Sequence, residues 1–262
     1  MQESGVANRI LIAGTRETSN KYVEELKKAG FKACSYGVLN IKPMINEDVL
    51  KEVEEVDFDF IVFTSRNAVR LLMAYAPQSL KVKILRCRVC AIGEGTKCEL
   101  RLHGFNDVNV PERESSMGLL EMLRGENLNG RIVGIFHSTR VNEELIRGLR
   151  ELGALVYGFP LYDIVVDEGE TRRLLEDVKR DGSALIVFLA KTAFQALMDV
   201  DKQVISILKN RLVIALGEMV SKALRSYDVP HYVLQKPNVS FLVTMIRSLL
   251  SNIEPVRDRL DA

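Results

Sequence analysis

The sequence predicts an α/β fold built as two similar doubly wound parallel-sheet lobes, and three observations carry that reading. Short runs of β-branched and apolar residues alternate with stretches whose apolar residues recur every three or four positions, the pattern of βα units. These elements form two matching series at a nearly constant offset of about 122 to 125 positions. Two segments, Gly37–Met44 (GVLNIKPM) and Phe159–Val166 (FPLYDIVV), lack helical period and carry prolines. Proline disfavours helix for the residue before it and is confined to turns and sheet edges, so both read as extended connectors.

Along the chain, strands are expected at Ile10–Ala13, Lys32–Tyr36, Phe60–Thr64, Arg88–Ile92, Asp107–Val110, Ile132–Phe136, Leu155–Phe159, Ala184–Leu189, Leu212–Leu216 and His231–Leu234, with helices filling most intervals. The duplication is visible element by element. Leu26 and Gly30 in EELKKAGFKA answer to Leu149 and Gly153 in RGLRELGALV. Phe63, Ala68 and Leu72 in IVFTSRNAVRLL answer to Phe188, Ala193 and Leu197 in IVFLAKTAFQAL. Gly93 and Leu100 in AIGEGTKCEL answer to Gly217 and Leu224 in ALGEMVSKAL. Each series closes on a further helix, Ser116–Arg124 or Ser240–Leu250, preceded by an extended stretch with Pro111 or Pro237.

Composition narrows the function. The chain has 262 residues, 47% of them hydrophobic, which allows a sizeable core in one large domain or two ordinary ones. With 36 Lys+Arg against 35 Asp+Glu, no global field draws it to nucleic acid or an anionic membrane, so an anionic ligand has to be gripped locally. Met1–Arg9 lack the apolar run of a signal peptide and the apolar stretch near Ala184–Ala190 is too short for a bilayer, so a soluble, cytoplasmic protein is expected. Cys34, Cys87, Cys90 and Cys98 fit reduced thiols. Cys87 and Cys90 form a C-x-x-C without a second Cys or His pair at metal spacing, so no metal is expected.

The ordered series resembles the uroporphyrinogen-III synthase family over roughly Arg9 to Leu250. The carriers are ILIAGTRE with Thr15 and Arg16, FTSRNAV (Phe63–Val69), AIGEGT followed by a helix and VPERESSMGLL, FPLYDIV, ALGEMVSKAL and KPNVSFLVTMI. The resemblance implies lobes joined by a two-stranded β-ladder linker: lobe one from 1–37 plus 167–262, lobe two from 44–158, the ladder from 38–43 and 159–166. It places the active site in the cleft between the lobes. It implies a cofactor-free, metal-free hydro-lyase of haem, sirohaem and cobalamin biosynthesis. That activity cyclises hydroxymethylbilane to uroporphyrinogen III, losing water and inverting ring D through a spiro intermediate. The expected protein is a monomer that receives its substrate from hydroxymethylbilane synthase by transient hand-off and binds neither nucleic acid nor membrane.

A floppy polycarboxylate needs anion binding without a metal. Strand ends here run into hydroxyl-rich or glycine-bearing turns that open helices: Thr64-Ser65-Arg66-Asn67, Gly93-Glu94-Gly95-Thr96, Ser115-Ser116, Lys191-Thr192 and Gly217. Free N–H groups and the positive dipole end of a first helical turn bind carboxylates, and Arg16, Arg66, Arg140 and Lys191 add charge-assisted contacts. The expected substrate-binding residues are Thr15, Arg16, Thr64, Ser65, Asn67, Gly93, Thr96, Ser138, Arg140, Lys191, Thr192, Gly217 and Ser221. For any one turn, simple helix capping explains the same residues, and only their convergence argues for a site.

The resemblance points to Tyr162 as the one catalytic acid, against a reading in which it packs in the ladder with its hydroxyl solvated. His103, His137 and His231 are scattered and read as structural. GEGTK lacks phosphate-loop spacing, and no G-x-G-x-x-G follows Gly14, which weighs against nucleotide chemistry. A periplasmic-type binder shares twin lobes but would need a signal peptide. The second series departs from the family: Leu189-Ala190 replaces a Thr-Ser turn, and Gly217-Glu218-Met219-Val220 lacks threonines. These losses keep open a catalytically silent tetrapyrrole-binding or regulatory module.

Overall fold

The structure is a computed structural model and describes residues 9–140, 143–180, 185–235 and 238–251. Ala184 at the head of the eighth expected strand, Pro237, and the first eight residues lie outside the described residues. The elements in chain order are β1 (Ile10–Thr15), α1 (Arg16–Lys28), β2 (Ala33–Pro43), α2 (Glu47–Glu55), β3 (Phe60–Phe63), α3 (Arg66–Tyr75), α4 (Gln78–Leu85), β4 (Arg88–Ala91), α5 (Glu94–Leu102), β5 (Val108–Asn109), α6 (Ser116–Leu123), β6 (Ile132–Ser138), α7 (Glu143–Glu151), β7 (Leu155–Val166), α8 (Glu168–Arg180), β8 (Leu185–Phe188), α9 (Lys191–Val200), α10 (Val204–Leu208), β9 (Val213–Leu216), α11 (Glu218–Arg225), β10 (Tyr232–Leu234) and α12 (Val239–Ser251).

Local chemistry explains the helix starts. Thr15, Asn46, Ser65 and Ser115 are N-caps whose side chains accept from the N–H groups of Thr18, Val49, Ala68 and Gly118. Each satisfies a donor that the first helical turn leaves open. Pro77 divides the interval from β3 to β4 into α3 and α4, because its ring cannot continue a helix but suits the start of one.

The chain forms two compact units, Met1–Asn40 with Val165–Ala262 (unit 1) and Ile41–Ile164 (unit 2). In unit 1 the parallel strands lie in the order β10-β9-β8-β1-β2; in unit 2 they lie in the order β5-β4-β3-β6-β7. These are corresponding orders, since β8, β9, β10, β1 and β2 are the duplicates of β3, β4, β5, β6 and β7. Chain order reverses between β3 and β6 in unit 2 and between β8 and β1 in unit 1. In open parallel sheets, the crevice outside the carboxyl ends of the strands at such a point is where ligands bind.

Two strands run further than periodicity indicates. β2 continues to Pro43 and β7 to Val166, absorbing both connectors. Within unit 1 the Asp167 N–H donates to Val38 O at 3.0 Å; within unit 2 the Met44 N–H donates to Leu161 O at 2.9 Å. Both strands also shift register against their parallel neighbour, giving the pairs Thr15↔Leu39 and Ser138↔Tyr162 just beyond the irregularity. Pro160, which has no N–H to offer, lies opposite His137 where the ladder breaks.

The core of unit 2 forms two clusters. One holds Phe63, Leu72, Val89, Phe136, Phe159, Leu161 and Tyr162; the other holds Val62, Ile135, Leu145 and Leu149. Neighbours Val62 and Phe63 fall in different clusters, as alternation across a strand requires. Phe63, Phe136 and Phe159 stack in a row across β3, β6 and β7, with centroids 5.1 and 5.4 Å apart. This row holds the three strand ends side by side. The core of unit 1 gathers Ile10, Ile12, Leu26, Leu185, Val187, Ile214 and Leu242.

Candidate functional site

The carboxyl ends of β3, β6 and β7 in unit 2 bring together the densest set of expected residues. Thr64 follows Phe63 of the aromatic row, and both its N–H and its hydroxyl donate to Phe136 O at 3.1 Å, tying β3 to β6 at the switch point. Ser65 is the N-cap of α3, its Oγ accepting from the Ala68 N–H at 3.1 Å. Arg66 is exposed and Asn67 half-buried on the first turn of that helix.

Tyr162 reaches the same place from β7. Its hydroxyl lies 2.8 Å from Ser65 Oγ, although 97 positions separate the two residues. The ring is buried, 4% exposed, in the cluster with Phe63, Phe136 and Phe159. The hydroxyl is therefore held by a protein partner, in contrast to the solvated phenol of the packing-only expectation. Ser138 pairs with Tyr162 across the β6–β7 ladder, and its hydroxyl donates over a long 3.4 Å to Arg140 O.

Two residues that sequence reasoning passed over adjoin this cluster. The Thr139 N–H donates to Tyr162 O at 2.8 Å, and Thr139 Oγ1 donates to Asp163 Oδ1 at 2.5 Å. That hydroxyl is the largest influence on the Asp163 carboxyl and, with the Ile164 N–H and the Arg140 and Lys42 charges, holds it below its ordinary range against the opposing effect of burial. The signal available in the sequence was only adjacency, since Asp163 follows Tyr162 in PLYDI.

The α5 turn is shaped by close approach. Gly93 is its N-cap in extended conformation, and a Cβ there would come within 2.2 Å of Glu114 Oε2. Thr96, on the first turn of α5, is 5% exposed, and its N–H donates to Gly93 O at 3.0 Å. Ser115 caps α6 through Gly118, with Ser116 opening the helix.

Unit 1 has the corresponding turns with fewer hydroxyls. Thr15 caps α1, and exposed Arg16 stands 3.8 Å from Asp167. Ala190 begins α9 without a side-chain cap, ahead of exposed Lys191 and half-buried Thr192. Gly217 adopts φ 78°, the left-handed region open to glycine, and its N–H donates to Leu234 O at 2.9 Å. Ser221 is fully buried, with its hydroxyl 2.8 Å from His231 Nε2.

Burial pushes the Cys87 thiol up to about 11 and the Cys90 thiol to about 12, which makes both poor thiolate donors. Among the described residues no His, Cys, Asp and Glu group could hold a metal ion, and no helix is long and apolar enough to cross a membrane.

Comparison with known proteins places this architecture. The family model described as uroporphyrinogen-III synthase HemD matches residues 20–244. A putative uroporphyrinogen-III synthase of Methanothermobacter thermautotrophicus is 26% identical over 220 residues, 81% of this chain and 87% of that protein. Among solved structures, a mutant uroporphyrinogen III synthase of Thermus thermophilus superposes with a TM-score of 0.69 at 20% identity, covering 93% of this chain and 99% of the other. Uroporphyrinogen-III synthetase of Helicobacter pylori gives 0.63 at 21% identity, covering 92% and 99%. At such identities the two structures speak to the fold.

Proposed function

This chain belongs to the uroporphyrinogen-III synthase family, and from that premise we propose that the hydroxyl cluster of unit 2 carries its chemistry. The enzyme is a lyase of tetrapyrrole biosynthesis. Its substrate, hydroxymethylbilane, closes unaided to the isomer without ring inversion, so the protein has to hold the two ends of the chain in the less accessible geometry. The observation that supports the assignment is the Tyr162 hydroxyl held 2.8 Å from Ser65 Oγ at the switch point of unit 2.

Tyr162 is the acid. Its proton passes to the terminal hydroxyl oxygen of the bilane, the carbon–oxygen bond breaks, and water leaves with the electron pair. The pyrrole nitrogen supplies electrons to the carbon left behind, giving an azafulvene that the last ring attacks at its substituted carbon. Fragmentation and reclosure of the spiro intermediate invert that ring, and the proton released on rearomatisation returns to Tyr162. The stacked Phe63, Phe136 and Phe159 keep the phenol on rigid strand ends.

The carboxylates are gripped by the first turns of α3 and α5 and by Thr64, Asn67, Gly93, Ser138 and Arg140. Thr15, Arg16, Lys191, Thr192 and the Gly217 turn offer the same kinds of donor in unit 1. The protein works as a cytoplasmic monomer, a reading supported by its free cysteines and by a hydrophobic core in each unit. A transient hand-off from hydroxymethylbilane synthase suits a substrate that decays to the wrong isomer. The linker ladder of 38–43 with 159–166 is supported by the main-chain bonds of Val38 and Leu161.

The test is a coupled assay that generates hydroxymethylbilane in situ and resolves the oxidised uroporphyrin isomers. Isomer III should predominate without added metal or cofactor. Isomer I alone, from protein shown to be folded, would overturn the assignment in favour of a silent binding module.

A further inference from the structure

We propose that Ser65 is the positioning residue for Tyr162, holding the phenol oxygen from the start of α3 and donating to it as its proton leaves. The inference rests on the reading of Tyr162 as the acid and adds to it a partner and a direction of hydrogen bonding.

A serine hydroxyl has one proton and two lone pairs. At Ser65 one lone pair is taken by the Ala68 N–H at 3.1 Å, which fixes the rotamer. The remaining contact is to the Tyr162 oxygen at 2.8 Å. In the resting protein either hydroxyl can donate. Proton loss breaks that symmetry, because a Tyr162 oxygen that has given its proton to the substrate can only accept. Ser65 then donates to it, and the positive end of α3 behind Ser65 favours the negative charge. When the proton returns to Tyr162, the pair returns to its starting state with no other reactant consumed.

The duplication supplies an internal control. Leu39 holds in unit 1 the register position of Tyr162, since Thr15 pairs with Leu39 on β1–β2 as Ser138 pairs with Tyr162 on β6–β7. Ala190 corresponds to Ser65 and caps α9 with no side-chain bond. Serine and tyrosine are thus present together in unit 2 and absent together in unit 1. If Ser65 served only to cap a helix, its counterpart would have the same reason to be kept whatever stood at position 39.

The experiment compares Ser65→Ala, Ser65→Thr, Ser65→Asp, Tyr162→Phe and the double variant Ser65→Ala/Tyr162→Phe in the isomer-resolved assay, with thermal melts on each. Tyr162→Phe should lose about 100-fold in kcat, the scale of a lost general acid. Ser65→Ala should lose about tenfold in kcat with KM within about twofold, as for an interaction made in the transition state. Ser65→Thr, which caps and donates, should recover most of the rate. Ser65→Asp caps as well as serine but cannot donate, and should stay as slow as Ser65→Ala. The double variant should be no slower than Tyr162→Phe alone. Full rate in Ser65→Asp, or additive losses in the double variant, would overturn the positioning role while leaving Tyr162 as the acid. Full rate in Tyr162→Phe would overturn both.

Discussion

Ser221 Oγ and His231 Nε2 lie 2.8 Å apart, and the other ring nitrogen, Nδ1, is 2.7 Å from Val229 O. A carbonyl can only accept, so Nδ1 carries a hydrogen, and in the neutral ring Nε2 then accepts from the serine. The bond ties α11 to the segment entering β10. Replacing Ser221 by alanine leaves that ring nitrogen without its partner and should cost about 1–2 kcal/mol in urea unfolding. Turnover of the folded variant should stay within about twofold of wild type. A large rise in KM at unchanged stability would place Ser221 in the ligand site instead.

Gly93 makes a different prediction. Its missing Cβ is what lets Glu114 Oε2 approach the start of α5. Alanine at that position forces the Glu114 carboxylate away, at a cost of about 1–3 kcal/mol for an overpacked contact. Because the obstacle is the end of a flexible side chain and Gly93 is in extended backbone, Glu114→Ala should recover most of the loss in the double variant. Equal stability of the single and double variants would show that the backbone itself rejects a side chain there.

Repetition is what made the fold legible in the sequence. Fully buried strands such as β3 and β8 read as near-continuous apolar runs, and their recurrence in one order exposed the duplication. The α/β class and the family followed from that series. Strand order did not, because β3 pairs with β6, Phe63 opposite Phe136, and no local pattern selects so distant a partner. The lengths of β2 and β7 were also hidden, since prolines in an extended segment fit a loop and a broken ladder equally well. Thr96 and Ser221 show the limit at the site. Sequence placed each near a helix start, but only packing decides which side of the first turns meets the sheet. The Ser65–Tyr162 bond joins residues from different strand ends and has no signal in either neighbourhood.

The cysteines predict a pH dependence. Burial raises the Cys90 thiol to about 12 and the Cys87 thiol to about 11, above the roughly 8.5 of an unfolded thiol. The folded chain therefore holds these protons at pH values where the unfolded chain releases them. Their contribution to stability is complete below about pH 8.5 and is lost as pH rises toward 11 and 12. The urea midpoint should fall between about pH 9 and 11, and fall less steeply in Cys90→Ala. A thiol reagent at neutral pH should modify exposed Cys98 first and reach Cys90 only as the protein unfolds. Rapid native modification of Cys90 would contradict its burial.

The exposed cations give the last prediction. Arg66 extends along the α5 turn, its Nε 3.9 Å from the position of a Cβ on Gly95, and Arg140 lies close enough to Asp163 to lower its carboxyl. Neither touches the Tyr162 hydroxyl, so neither has a means of favouring proton transfer over binding. Each should act on substrate carboxylates equally before and during the reaction, which lowers KM without raising kcat. Arg66→Ala and Arg140→Ala should each raise KM about tenfold, the effect of one charge-assisted contact of roughly 1.4 kcal/mol, with kcat within about twofold. Wild-type KM should also climb with ionic strength, and less so in each variant, because exposed charges are screened over about 10 Å in 0.1 M salt. A fall in kcat at constant KM would place the altered arginine at the reacting ring instead of on a carboxylate.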